Sequence, residues 1–212
     1  MIEMIVVIVI ISFLVTILSN AVVSGKNKIK SIKCKSSLRQ WGQATFLFTM
    51  DNEGWLPKDG ASNGASTKGG WYVSLPPYLN LPVYKNWQGR TNSIHRPPAS
   101  PYLCPGNPKL SDGVNLFHYS LNRHVNGSGV GNRVRLTSIS FPTRIIWFFD
   151  NGKRAAVSSA SNLHTNIHQS TPNILCLDGH VEGKKTSDLV IPTKSKDKNI
   201  LSPQVKGMDW IP

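Results

Sequence analysis

The chain opens on an apolar run, MIEMIVVIVIISFLVTILSNAVV, in which only Glu3, Ser12, Thr16, Ser19 and Asn20 are polar. About 20 such residues suffice to cross a bilayer as a helix. No proline occurs before Pro57, so the pattern predicts one helix from near the N-terminus to about Met50. That helix is roughly 75 Å long at ~1.5 Å per residue. Past Gly25 the pattern becomes one-sided: Cys34, Leu38, Trp41 and Phe48 share a face, with Lys33, Lys35 and Arg39 away from it. An amphipathic stripe of this kind docks on a globular part. Gly25, followed by Lys26 and Asn27, is a point where the helix is weakest. Asp51-Asn52-Glu53-Gly54 ends it. Three parts follow: residues 1–25 as a membrane or core segment, 26–52 as its amphipathic continuation, and 53–212 as a head.

Residues 58–114 are rich in Gly, Pro, Ser and Asn, with Trp71, Tyr72, Tyr78, Leu79, Tyr84 and Trp87 as scattered anchors. They read as long packed loops holding short helices or strands. Strand patterns dominate from Leu116. Phe117–Asn122 and Arg133–Ile139 both alternate and are expected to form a hairpin across the Gly-rich link Asn126–Gly131. The bulk and β-branching of Ile145–Phe149 predict a buried strand. Asn173–Leu177 and His180–Glu182 flank Asp178-Gly179, the residue pair of a two-residue type I′ turn. Met208-Asp209-Trp210-Ile211 is expected to dock as a last short segment. The fold class is α+β, a long N-terminal helix on an antiparallel sheet with long loops.

Charge changes the picture little. The 24 Lys and Arg against 11 Asp and Glu give +13, which suits anionic surfaces. The cations cluster at 26–39 and at Lys184–Lys198 without a nucleic-acid motif, so a solvated cationic surface is expected and no specific nucleic-acid partner. Three cysteines in an exported chain allow one disulfide and one spare thiol. Cys34 and Cys104 meet if the loop folds back over the helix; the sequence leaves the pairing open.

Glu3 is the odd residue, because an acid inside an apolar helix costs about 2–4 kcal/mol unless neutralised. The chain lacks the basic start and Ala-x-Ala site of a signal peptide. Glu3 either sits at the headgroups or is buried on assembly against a neighbour's terminal amine. The run Ile2-Glu3-Met4-Ile5-Val6-Val7-Ile8-Val9-Ile10-Ile11 resembles the mature N-terminus of type IV pilins and pseudopilins. In that family a leader peptidase cuts the chain and the glutamate pairs with a neighbouring amine. There the glutamate stands fifth, here third, an offset implying that two residues and the leader precede this sequence or that its start is misassigned. Six cations after the span favour a cytoplasmic head by the positive-inside rule; a basic leader outweighs them, placing 27–212 outside the membrane.

A second resemblance covers most of the chain. His168, nine residues, then Asp178-Gly179 within NILCLDGHVEG is similar to pilin-like proteins named for that pattern. Cys34, Leu38-Arg39-Gln40, Asn52-Glu53-Gly54, Cys104-Pro105, Tyr119–Asn122, Pro142 and Asp150 follow in that family's order. Cys176 stands where the family has an aromatic residue and reads as a buried free thiol. The resemblance implies a pilin that polymerises through Glu3, Met1, Ile2, Ile5, Val9 and Phe13 into a filament on the bacterial cell surface. Its implied partners are copies of itself, the inner membrane before assembly, the prepilin peptidase and the pilus assembly platform. One alternative is a minor pseudopilin of a type II secretion-like system; another is a membrane-anchored metal-binding module.

The candidate chemistry is sparse. His164 and His168 are four apart and with Asp150 and Asp178 form a candidate Zn²⁺ or Ca²⁺ set, but no His-Glu-x-x-His is present. The favoured reading is structural, with His168 hydrogen-bonding the Asp178 turn or a neighbouring loop and no cofactor. No phosphate loop, serine elbow or carboxylate pair marks an enzyme. Asn126-Gly127-Ser128 is a formal glycosylation triplet.

Overall fold

A computed structural model describes residues 2–62, 64, 69–95, 97–126, 132–190, 204–205 and 208. The helix α1 runs unbroken over Ile2–Asp51, 50 residues, and continues through Gly25. Hydroxyls in its apolar half are satisfied within the helix: Ser12 and Thr16 donate to the carbonyls of Ile8 and Ser12, each at 2.8 Å. That geometry removes their need for water. The C-terminus is closed when Gly54 N–H reaches back to the Thr49 carbonyl at 2.9 Å. Glu53 is left-handed there (φ 54°), as a helix-ending residue must be.

Five strands form the main sheet: β1 Tyr119–Asn122, β2 Ile146–Asp150, β3 Val157–Ser158, β4 Asn173–Cys176 and β5 Val181–Gly183. Their order is β3-β1-β2-β4-β5. Pairing is antiparallel (Tyr119 opposite Asp150, Phe149 opposite Ile174, Ile174 opposite Glu182) except where β3 lies parallel to β1 (Leu121 opposite Val157). The chain is thus α+β, with a mixed, mostly antiparallel sheet. Short strands β6 (Leu189–Val190) and β7 (Gln204–Val205) pair separately.

The C-terminal half of α1 lies on this sheet. Cys34, Ser37, Leu38, Trp41, Ala44, Thr45 and Thr49 are buried, a stripe at helical spacing. Phe48 is only half-buried, at the edge of the same face. A side chain at Gly42 would press on Leu175 Cδ1 at 3.1 Å, so the missing Cβ lets helix and β4 approach closely. Trp147 Nε1 donates to Thr45 Oγ1 at 3.0 Å, tying β2 to the helix. The opposite face of the sheet is covered by Ala160, Leu163 and Met208 over Ile146, Phe149, Ile174 and Cys176. Both faces being covered, β1, β2 and β4 are buried at every residue, as strands between two layers are.

The irregular stretch 58–114 is organised by aromatic rings. It contributes α2 (Trp71–Ser74) and three short 3-10 turns within 76–90. Trp41 meets Trp71 edge-on at 5.2 Å, Trp71 meets Phe148 at 4.9 Å, and Tyr84 stacks on Phe117 at 3.8 Å. Such pairs add about 0.5–1.5 kcal/mol each beyond area burial. Their polar tips are paired: Trp41 Nε1 to Pro101 O, Trp71 Nε1 to Ala156 O and Tyr102 OH to Pro82 O, each at 2.9 Å.

Two sequence expectations are corrected. Arg133–Ile139 is no strand: it holds a 3-10 turn at Leu136–Ser138 and a single bridge between Arg135 and Trp55. Its alternating cations lie over rings, Arg135 at 4.9 Å from Trp55 and Arg133 at 5.8 Å from Phe48. Alternation there serves cation–π contact, and β1 pairs with β2 and β3 instead. Residues 127–131 of the expected link lie outside the described residues. The second correction concerns the β4–β5 turn. Gly179 N–H bonds the Cys176 carbonyl at 3.0 Å and Cys176 N–H the His180 carbonyl at 2.9 Å. Only Gly179 (φ 92°) is left-handed, so this is a three-residue loop with a glycine bulge, not a type I′ turn.

Candidate assembly surface and buried cysteine–histidine–aspartate cluster

Two features stand apart from the packed core. The first is the N-terminal half of α1. Its large apolar side chains from Met4 to Val23, Ile5, Val9 and Phe13 among them, are between 51 and 70 % exposed. Exposure is all round the helix, where a surface helix of a soluble domain buries one stripe. Among the described residues it is the one helix long and apolar enough to cross a membrane. Glu3 is exposed near its start. Met1, and the side chain of Ile2, lie outside what is described. Lys26, Lys28, Lys30 and Lys33 form an exposed cationic collar between this half and the head.

The second feature is built where α1 meets the end of the irregular stretch. Cys34, on the buried stripe of α1, is joined by a disulfide to Cys104 across 70 residues of sequence, with Cα atoms 4.8 Å apart. His168 Nε2 lies 3.2 Å from Cys104 Sγ and 3.5 Å from Asp150 Oδ2. The imidazole is 2 % exposed and the carboxylate not at all. Backbone geometry aims the ring: His168, Gln169 and Ser170 are successively left-handed (φ 54°, 59° and 58°), and Thr171 N–H closes the turn on the Ile167 carbonyl at 3.0 Å. Left-handed backbone costs non-glycine residues roughly 1–2 kcal/mol each, so packing holds this turn. Gly106 makes room, since a Cβ there would stand 2.4 Å from His168 Cε1.

Asp150, the last residue of β2, accepts the Asn173 N–H at 2.8 Å through Oδ2. Its Oδ1 is buried with no hydrogen bond among the described residues. Burial pushes this carboxyl up to about 7, against the pull of Asn173 and Lys35. Burial, followed by His164 and Lys35, pushes His168 down to about 4. Both groups are driven toward neutrality, so the 3.5 Å contact is a polar one around a neutral imidazole rather than an ion pair.

The sequence-predicted metal set is therefore split. His168 and Asp150 come together. Asp178 is engaged elsewhere, accepting from His180 N–H at 3.1 Å and lying 2.6 Å from His180 Nδ1. His164 donates its backbone N–H to the Asp150 carbonyl at 2.9 Å, and its ring borders a cleft of about 400 Å³ shared with Asn27, Lys30, Gly106, Asn166 and His168. The metal-capable group among the described residues is Cys34, Cys104 and His168, whose ligand atoms lie within 4.8 Å of one another. Nothing in the sequence joins His168 to Cys104, 64 residues away; Gly106 beside Cys104 is the one local sign of a close approach. The other end of the His–Asp-Gly pattern serves the helix: a Cβ at Gly179 would meet Phe46 at 3.0 Å.

Comparison of the chain with protein-family models, with curated proteins and with solved structures finds no match in any of the three.

Proposed function

We propose that the chain is a structural, pilin-like subunit that polymerises through the N-terminal half of α1 into a filament. One observation carries this reading: an apolar rod, exposed on every side from Met4 to Val23, continues from the half of the same helix that is buried on the head and disulfide-linked to it. Burying each Val, Leu or Ile of that rod is worth about 1.5–3 kcal/mol. Lipid supplies that burial for a single chain, and a bundle of identical rods supplies it for many. Glu3 then acts as the register device. Among apolar neighbours an unpaired carboxylate is expensive, so copies settle where each glutamate meets a cation, the terminal amine of an adjoining chain. The head, clamped at Cys34 and Trp41, forms the outer shell. The resemblance of residues 2–11 to pilin N-termini supports the same reading.

Electron microscopy of material sheared from the surface of producing cells tests it. The expected result is filaments whose repeating unit accommodates one long helix and one head. Protein confined to membrane fractions, with no filament at the surface, overturns the reading in favour of a membrane-held, pseudopilin-like subunit.

A further inference from the structure

We propose that the pocket closed by the Cys34–Cys104 disulfide is a zinc site in the reduced chain, with Cys34, Cys104, His168 and Asp150 as its four ligands. Cys34 Sγ, Cys104 Sγ and His168 Nε2 already lie within 4.8 Å of one another, and Asp150 Oδ2 adjoins His168 Nε2. In a tetrahedral site with Zn–S near 2.3 Å and Zn–N or Zn–O near 2.0–2.2 Å, neighbouring donors lie about 3.3–3.8 Å apart. Here Cys104 Sγ is 3.2 Å and Asp150 Oδ2 3.5 Å from His168 Nε2, and the two sulfurs part once the bond between them is broken. Asp150 also holds a buried oxygen, Oδ1, that no described residue satisfies. A carboxylate bound to an ion is the arrangement that repays such burial.

Charge and access fit as well. Two thiolates, one carboxylate and a neutral imidazole leave one negative charge around Zn²⁺. The Lys35 ammonium acts on both Asp150 and His168 and offsets that charge. Although both sulfurs are buried, the 400 Å³ cleft lined by Gly106 and His168 opens beside the imidazole. A second cleft, of about 540 Å³, flanks the site through Ser37, Leu103 and Pro105.

The two states interconvert with complete accounting of electrons. In the thiol form, Zn²⁺ binding releases the two sulfhydryl protons. A small disulfide then oxidises the site: the two thiolates surrender two electrons, Cys34 and Cys104 join, the oxidant leaves as two thiolates, and Zn²⁺ is expelled. Zinc thus holds helix and loop together before oxidation, and the covalent bond does so afterwards. This inference is independent of the filament reading.

The test uses the full chain in detergent with Cys176→Ser, which removes the third thiol. The protein is reduced with a phosphine, freed of reductant under anaerobic conditions, and titrated with Co²⁺ and then Zn²⁺. One equivalent of cobalt is expected, with thiolate-to-cobalt charge-transfer absorption and tetrahedral d–d bands that zinc abolishes. The unreduced protein is expected to give neither. His168→Ala and Asp150→Asn should each weaken binding by about 100-fold or more, beyond the 10–100-fold loss typical of a supporting residue. Oxidised glutathione should release the metal as Cys34 and Cys104 rejoin, read by peptide mapping. Absence of cobalt binding by the reduced chain, whether or not it stays folded, overturns the proposal. So do thiolate bands that persist at undiminished affinity in both variants.

Discussion

Gly106 and His168 show how one missing methyl group organises a site. The ring occupies the volume a Cβ at position 106 would need, at 2.4 Å from Cε1. Gly106→Ala should therefore destabilise the head by about 1–3 kcal/mol, the usual range for overpacking. The cost should largely vanish in a His168→Ala background, because the two positions contest the same space; urea denaturation of the four proteins checks this. Asp59 offers a separate residue-level prediction. Burial raises its carboxyl from 3.8 to about 6, opposed by the Asn126 hydrogen bond at 2.6 Å and by Arg123. Between pH 4 and 6 the folded chain keeps a proton that the unfolded chain gives up. The stability this supplies is complete below about pH 4 and is lost as pH rises through about 6. Asp59→Asn should flatten that part of the stability–pH profile, by on the order of 2 kcal/mol across the window.

At the scale of elements, α1 is the piece that local sequence describes best. An unbroken apolar run, the absence of proline and a stripe at helical spacing all act between near neighbours, and Cys34, Leu38 and Trp41 are buried where the stripe puts them. Trp41→Ala should cost about 3–5 kcal/mol, since the indole also donates to Pro101 O; thermal or chemical unfolding measures it. The strand at Ile146–Asp150 and the hairpin around Asp178-Gly179 were legible for the same reason. Strand partners were not. Val157–Ser158 is too short to show a period, and its parallel pairing with β1 depends on where the intervening chain returns. Arg133–Ile139 misleads because its alternation satisfies Phe48 and Trp55 rather than a sheet. The cluster at His168 was illegible as a whole: its four members come from α1, a loop end, β2 and a left-handed turn, brought together only by tertiary packing.

For the whole molecule, the division of α1 into a free half and a clamped half separates two kinds of mutation. Changes in the free half should leave the head intact. On the proposed filament reading, Glu3→Ala should therefore keep the same head stability and the same membrane partitioning while reducing the yield of sheared filaments several-fold. Wild-type yield from that variant would remove Glu3 from the assembly mechanism. Changes on the clamped stripe, Trp41→Ala among them, should instead lower the amount of folded protein.

The disulfide has one more consequence, a mechanical one. Suppose a load enters along α1 and leaves through the C-terminal part of the head. The covalent link at Cys34 then carries the pull directly to Cys104, bypassing the 70 residues of sequence separation between them. Fully drawn out, that length would yield about 240 Å at ~3.5 Å per residue. With the link closed, none of it can be paid out, and the aromatic-cored loops ride as dead weight beside the line of force. With the link open, that length is no longer held at its two ends and the same pull can draw it out.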